Sequence, residues 1–391
     1  MFNMSAYAEW ESGIENRNRH VLKQLLGSER VGKILAVDYL PHTFKRALRV
    51  YREDRLAKPA GEVVFKSFFS RAVKISKKLT VYSSVWPKIS AKKFYDELGR
   101  LLVKLKFGQF IIWSYYPLTV DYFWRLNRLG QKPVLKVFDA VDNWSEHPAY
   151  LKFKKKLLNN YQRIDAEADV IFAVNGELKN LFSHQEKFFL VPNGADLAHY
   201  QKEYTIINRD IGEIKPPIIG YVGTIQERFD ADLLSFLAQN NQEKSFVLVG
   251  PVWQKAIREK LAGFPNVYFL GRKSYDEVPM YLKQFAACII PHQIDAFTKS
   301  NDPMKIYEYL ACGKAVVSTQ GTDLEDLKPF VYSSGDWQQF NQHLNDALKE
   351  DSDLLREQRL AAIQNHSWQK RVERMWEVIE QKLNKIPNPN I

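Results

Sequence analysis

Pro303, Lys305 and Glu308 stand in a stretch, SNDPMKIYEYLACGKAVVST (residues 300–319), whose residue types could bind an anion and a diol side by side. Asn301 and Asp302 are residue types that cap helices, and Pro303 suits a first turn, where the N–H it lacks would go unpaired anyway. The open backbone N–H groups and the positive end of the helix dipole favour an anion such as a diphosphate. Lys305 adds charge there. Glu308, near the second turn, carries a carboxylate that can accept from both hydroxyls of a ribose. Cys312-Gly313 stops the helix, and 315–318 reads as a buried strand. The same letters also describe a plain capped helix with a solvated Glu and Lys, so this stretch alone leaves both readings open.

The elements that must position these residues alternate. Helical spacing at 18–26 is followed by a strand at 33–38, a β-rich run at 80–85, an amphipathic helix at 94–105 and a buried strand at 110–114. A helix at 121–129, a strand at 134–138 ending at Asp139, a long helix at 150–168, and a strand, helix and strand at 170–174, 176–182 and 188–191 complete the first half. Residues 199–217 are polar and irregular, closing on Pro216-Pro217 like a linker. The alternation then restarts: strands at 218–222, 246–249, 267–270, 287–290 and 315–318, with helices at 232–239, 254–261, 278–285, 303–311 and 337–348. A final helix at 368–383 carries Trp368 and Trp376. Strands alternating with helices mean a parallel sheet covered on both faces. Two such repeats predict an α/β protein of two Rossmann-like, doubly wound domains facing a cleft. Ligands are expected at the carboxyl ends of the strands. The boundaries are 1–200 for the first domain, 201–217 for the linker and 218–365 for the second domain, which holds the 300–319 stretch. Residues 366–391 form a closing helix and tail, expected to pack back toward the first domain.

With 391 residues, 45% of them hydrophobic and 13% aromatic, the chain is globular and too long for one ordinary core. No window approaches the roughly 18 apolar residues of a membrane span, and MFNMSAYAEWESG lacks the basic start and apolar core of a secretory signal. The two cysteines, Cys288 and Cys312, exclude a disulfide framework. A cytoplasmic protein is expected. The net charge of +11 is concentrated: residues 44–106 hold 17 Lys and Arg against 5 Asp and Glu, which leaves the rest near neutral. That segment is also aromatic, with Phe65, Phe68, Phe69, Tyr82, Trp86, Phe94 and Tyr95. It suits an anionic membrane surface or, less well, nucleic acid, or it is simply a solvated face. The expectation adopted is peripheral contact with the inner face of the cell membrane and no nucleic acid.

The 300–319 stretch resembles the donor motif of family 4 glycosyltransferases and their GT-B relatives. It is most similar to bacterial cell-surface polysaccharide enzymes of the teichuronic-acid type, which share a Pro-x-Lys-x-x-Glu-Tyr-Leu-Ala-x-Gly-Lys run. The resemblance continues in order through VPNGADLAHY (191–200), GYVGTIQERFD (220–230), NVYFLGRKSYDEVPMYL (266–282) and NHSWQKRVERMWEVIE (365–380), over roughly the last 220 residues. It implies a GT-B transferase using a nucleoside-diphosphate sugar of the UDP or GDP type, with no other cofactor. Glu308 would hold the ribose. Pro303, Met304 and Lys305 would face the diphosphate, with Asp302 in the same donor-side set, Gly223 and Thr224 would admit it to the first turn, and Gly271 and Arg272 would border the base. The chain departs from the family twice. The first of the family's paired glutamates, eight positions before Glu308, is Ser300, which bears on the transferred sugar. The glycine turn's Arg and Lys are Thr224 and Phe229, which leaves the diphosphate to Arg228, Lys305 and helix N-termini.

In the first half, VFDAVDNWSEH (137–147) ends a buried strand with two acids, so Asp139 and Asp142 are candidates for orienting or deprotonating an acceptor hydroxyl. They are equally suited to turns and caps. Trp10, Arg17 and His20 resemble the acceptor-side loop and helix that follow the family's first strand, and 2–5 would be that strand. No histidine pair has metal-ligand spacing and there is no Asp-x-Asp triplet, so a metal-independent site is expected. The combined expectation is a sugar transfer, with retention, to a hydroxyl of a lipid-linked glycan in cell-surface polysaccharide synthesis. A sugar-nucleotide epimerase and an inactive binding protein of the same fold are the alternatives.

Overall fold

The computed structural model describes residues 1–41, 43–56, 61–85, 90–126, 133–204, 209–319 and 324–385, with side chains at 50 and 53–56 left aside. Trp86, the end of the helix expected to reach 129, part of the 201–217 linker and the tail beyond 385 lie outside the described residues. The chain divides into two compact units, Met1–Val191 with Val372–Ile391, and Pro192–Arg371.

After a short helical turn at Tyr7–Glu11, the first unit has α1 (Arg17–Gly27), β1 (Ile34–Val37) and α2 (Phe44–Leu56). A hairpin of β2 (Glu62–Lys66) and β3 (Ser70–Lys74) follows, then β4 (Leu79–Ser84) and α3 (Ala91–Lys104). After β5 (Ile111–Ser114) come β6 (Leu135–Ala140), α4 (Lys154–Glu167), β7 (Val170–Ala173) and β8 (Phe188–Leu190). The strands form two four-stranded ladders, β1-β4-β3-β2 and β5-β6-β7-β8. The second is wholly parallel, whereas β3 runs antiparallel to both its neighbours. Among the described residues Phe2 links the ladders, bridging Val37 and Ser114. The strand expected at 2–5 is thus reduced to one bridging residue. The β2–β3 hairpin and α2 were not anticipated from the sequence. β2 is an edge strand with little burial, and its lysine-rich surroundings carry no clear apolar period.

The second unit runs β9 (Ile218–Val222), α5 (Ala231–Asn240), β10 (Ser245–Val249), α6 (Lys255–Leu261), β11 (Val267–Gly271), α7 (Val278–Gln284), β12 (Ala287–Ile290), α8 (Met304–Ala311), β13 (Ala315–Ser318) and β14 (Val331–Ser333). Helices α9 (Trp337–Glu350), α10 (Asp353–Ala362) and α11 (Trp368–Leu383) follow, the last continuing into the first unit from Val372. Every strand-to-strand pairing is parallel, in the order β11-β10-β9-β12-β13-β14. Counted from β9 this is the doubly wound order 3-2-1-4-5-6, whose switch point falls between β9 and β12. Strands β9, β10, β12 and β13 are buried along their whole length, as strands covered on both faces must be. Close packing there tolerates no excess volume: a Cβ on Gly220 would overlap the Phe285 ring.

Candidate functional site

The switch point is open by construction. β12 pairs with β9 only at Ile219 and Gly220, so the strands part before they end. Beyond the split, the Val222 N–H is taken by the Tyr309 hydroxyl of α8 at 2.9 Å, which ties that helix to the end of β9. Gly223 follows with φ 146°, a backbone that side-chain-bearing residues rarely adopt. A Cβ there would overlap the Lys305 side chain and sit 2.7 Å from its Nζ. Gly250, at the end of β10 with φ 147°, is needed because a Cβ would strike the Gly223 carbonyl. The turn is pinned by the Tyr221 hydroxyl, which donates to the Thr224 carbonyl at 3.2 Å.

Three nitrogenous groups converge on this turn. Lys305 Nζ lies over the Tyr221 ring, 5.5 Å from its centroid. The residue keeps some solvent contact, but its ammonium is enclosed. Burial, then repulsion from Arg228, push its pKa down to about 8, against a smaller opposing pull from Glu308. His292, just beyond β12, is 3% exposed, and its Nε2 has no hydrogen-bond partner. Burial, then Arg228 and Lys305, hold its pKa well below the usual histidine range. A cluster that disfavours its own charge this strongly gains most from an incoming anion.

Helix α8 differs from expectation at its start. Its N-cap is Pro303 (φ −66°, ψ 112°) with no side-chain cap, so neither Asn301 nor Asp302 caps it. Asp302 instead accepts from the Asn193 backbone N–H at 2.6 Å and from the Tyr307 hydroxyl at 2.9 Å and 3.0 Å. Asn193 returns its side-chain amide to the Asp302 carbonyl at 2.7 Å, and Arg371 Nε holds the Asn193 carbonyl at 2.8 Å. Asp302 therefore anchors the 191–200 segment to α8 and does not face an anion. Leaving the α8 N–H groups uncapped keeps them open to a ligand.

Ser300 is buried and donates Oγ–H to the Phe297 carbonyl at 2.8 Å. Phe229, where the family carries a lysine, is a core residue set edge-on to Tyr221 at 5.0 Å. Met304 is half-buried beside Pro303, and Gly271 (φ 69°) and Arg272 are exposed at the end of β11. Glu308 is half-buried, and its charge, after burial, keeps the buried Tyr200 hydroxyl well above the usual tyrosine range. The structure thus gathers Gly223, Thr224, Arg228, Lys305 and Glu308 from the expected set. Tyr221, His292 and Tyr309 are added; a histidine directly after a buried strand, IIPH, was the available signal for His292.

In the first unit, Arg17 Nε meets Asp139 Oδ1 at 2.9 Å, with 2% and 0% of the side chains exposed. Burial raises the Asp139 pKa more than Arg17 lowers it. A carboxylate closed off from solvent and held by a guanidinium is a structural ion pair joining α1 to β6, contrary to the acid–base role the sequence suggested. Asp142 is half-buried near Tyr161, whose hydroxyl donates to its carbonyl at 3.3 Å. Trp10 is a core residue at 1% exposure, and buried His20 sits 3.8 Å from Glu15. Among the described residues no group of three His, Cys, Asp or Glu side chains could hold a metal ion.

Residues 216–350 match the family model described as glycosyl transferases group 1. The chain is 26% identical over 211 residues to a Bacillus subtilis (strain 168) protein named as a teichuronic acid biosynthesis glycosyltransferase, TuaH. That match covers 50% of this chain and 53% of the relative, so the chain spans about half the length of the curated relative it matches. In structure it is similar to Anabaena Alr3699/HepE, solved in complex with UDP and glucose, with a TM-score of 0.66 at 14% identity over 97% of this chain and 98% of that one. It is also similar to the sucrose-phosphate synthase of Thermosynechococcus elongatus, with a TM-score of 0.64 at 14% identity and 94% of each chain covered.

Proposed function

From a chain that has the GT-B fold and carries a group 1 glycosyl transferase domain, we propose a glycosyltransferase that moves a sugar from a nucleoside diphosphate to a hydroxyl of a glycan. The observation that carries this is the Lys305–Arg228–His292 set around the bare Gly223 turn, one helical turn from Glu308. The diphosphate would sit against Gly223 and the uncapped start of α8, its charge met by Lys305 and Arg228. Glu308 would accept from the ribose hydroxyls. Positive charge fixed before the leaving group departs stabilises the transition state without reorganisation.

In the retaining course we favour, the bond from the sugar's anomeric carbon to the β-phosphate oxygen breaks. The acceptor oxygen bonds to that carbon on the same face, and the acceptor proton passes to the departing diphosphate. No protein nucleophile is needed, and the protein cations make a divalent ion unnecessary. That course fits the burial of Asp139, which leaves this strand-end acid unsuited to receive the proton. Ser300, turned inward to Phe297, leaves recognition of the transferred sugar to other groups.

The test is binding of UDP and GDP sugars followed by thermal shift and calorimetry. A true donor raises the melting temperature by mass action. Because Lys305 binds an anion best when protonated, affinity should fall as pH rises through about 8. A pH-independent affinity, or no nucleotide that shifts the melt, overturns the site. NMR of the product anomer decides the course: inversion would end the retaining reading, and loss of turnover in excess EDTA the metal-free one.

The acceptor we propose is lipid-linked, in cell-surface polysaccharide synthesis, on an anionic membrane. Support comes from the 44–106 segment, where Phe44 (61% exposed) and Phe68 (65%) stand among its lysines and arginines. No helix among the described residues is long and apolar enough to cross a membrane. Vesicles with anionic lipid should sediment the protein, and Phe44→Ser with Phe68→Ser should weaken this at least about tenfold. Equal binding to neutral vesicles would count against the membrane assignment alone.

A further inference from the structure

His292 lies just beyond β12, in the run IIPH, and its backbone is locked from two sides. It bridges Phe229 in antiparallel register. The Asp230 N–H donates to the Pro291 carbonyl at 2.8 Å, and the Gln293 N–H to the Arg228 carbonyl at 2.7 Å. From the end of β13, the Thr319 hydroxyl accepts from the His292 N–H at 3.2 Å and donates to the His292 carbonyl at 2.8 Å. The imidazole stands edge-on to the Tyr221 ring, 6.3 Å between centroids, and Lys305 Nζ lies over that same ring. Its place beside the Gly223 turn is therefore set by backbone pairing.

Packing alone does not account for a polar ring here. Buried polar side chains are paired as a rule. Among the described residues His292 Nε2 meets no hydrogen-bond partner, and Arg228 Nε, in the segment after β9, meets none either. The charges that act on the ring are Arg228, from that segment, and Lys305, from α8, and both are positive. The Asp230 carboxylate is engaged by the N–H groups of Asp232 and Leu233, where it caps α5. The Tyr221 hydroxyl is engaged with the Thr224 carbonyl. What this cluster lacks is an anion. Phe229 adds a reason for the histidine. The family's lysine is replaced there by an apolar core ring, and the residue bridged to it is His292.

Resting on the nucleoside-diphosphate reading of the Gly223 site, we propose that His292 is a further ligand of the donor: its imidazole binds the diphosphate and takes up a proton as that group arrives. The proton comes from water and is returned when the nucleotide leaves. Burial and the two cations by themselves keep the ring neutral. A diphosphate reverses the sign of the charge around it, and the ring that could not ionise then becomes a charge-assisted donor. When the bond from the anomeric carbon to the β-phosphate oxygen breaks, its electron pair stays on that oxygen. An imidazolium held beside it by fixed backbone stabilises that charge without reorganisation. His292 thus supplies the charge that Phe229 does not.

Isothermal calorimetry with UDP-glucose and GDP-mannose, at about pH 6.5 in two buffers of different ionisation enthalpy, counts the protons that binding takes up. Lys305, at about 8, is already protonated there and adds little. Binding should take up about one proton, and His292→Gln, whose amide donates but cannot ionise, should take up none. His292→Phe should lower donor affinity about tenfold, with the melting temperature kept or raised, because it removes an unpaired polar ring from the core. Binding without proton uptake, uptake that survives in His292→Gln, or full affinity in His292→Phe overturns the role of His292 and leaves the donor site standing. An affinity lost together with the melt would mark a packing residue and overturns the role as well. If neither nucleotide sugar binds the wild-type protein, the donor reading itself fails and this role with it.

Discussion

Lys305→Ala should lower kcat/KM about 10²–10³-fold, the usual cost of removing one preorganised charge from a developing anion. The loss should appear mainly in kcat if the charge acts on the leaving diphosphate, and in KM if it acts only on the bound donor. Lys305→Arg should recover little, because the ammonium lies against the Gly223 turn and a planar guanidinium is larger and directs its donors differently. Stability should move the other way. An enclosed ammonium facing Arg228 costs the fold free energy, as its lowered pKa records, so the alanine variant should melt at the same temperature or higher. Activity lost with stability kept is the signature of a residue held for function. An alanine variant with full turnover, or one that loses both together, would falsify this assignment.

Arg17→Ala should destabilise the first unit by about 3–5 kcal/mol, because it leaves the Asp139 carboxylate buried without its partner. For a unit of this size that corresponds to about 6–20 °C in its transition. Arg17→Met with Asp139→Leu should restore most of the loss, since an apolar pair of similar volume avoids the desolvation that two buried ions incur. Asp139→Asn separates the structural role from a catalytic one. An ion-pair residue loses stability with modest change in turnover, whereas a general base loses turnover with its melt intact. The second unit folds around its own core, so donor binding measured by calorimetry should survive Arg17→Ala below the first transition.

The second unit was legible because its strands are continuous apolar runs, IIGYV and SFVLV among them, set between amphipathic helices. Such runs have few other places to go than the middle of a parallel sheet. The hairpin at 62–74 was not, since EVVFK is an edge strand whose outer backbone and side chains meet solvent, and nothing in its period separates it from a loop. The cap of α8 misled for a different reason. Asp302 has the chemistry of a cap, but a backbone N–H from Asn193, 109 residues away, took its carboxylate first. Asp139 misled likewise: its position at a strand end suggested an acid facing substrate, yet it lies within β6 and points to Arg17, 122 residues away.

By itself the sequence determined the chemistry that lies within a turn or two of helix: Pro303, Lys305 and Glu308 on one short element, with the glycine turn after β9. Those depend on local spacing, which the backbone's own geometry fixes. Only the tertiary structure decided which groups share an environment. It brought His292 and Arg228 to Lys305, turned Ser300 inward, consumed Asp302 in an anchor, and closed Asp139 into an ion pair. Burial and pairing depend on residues far apart in the chain, and packing, which no local spacing encodes, sets which carboxylate meets solvent and which meets a guanidinium.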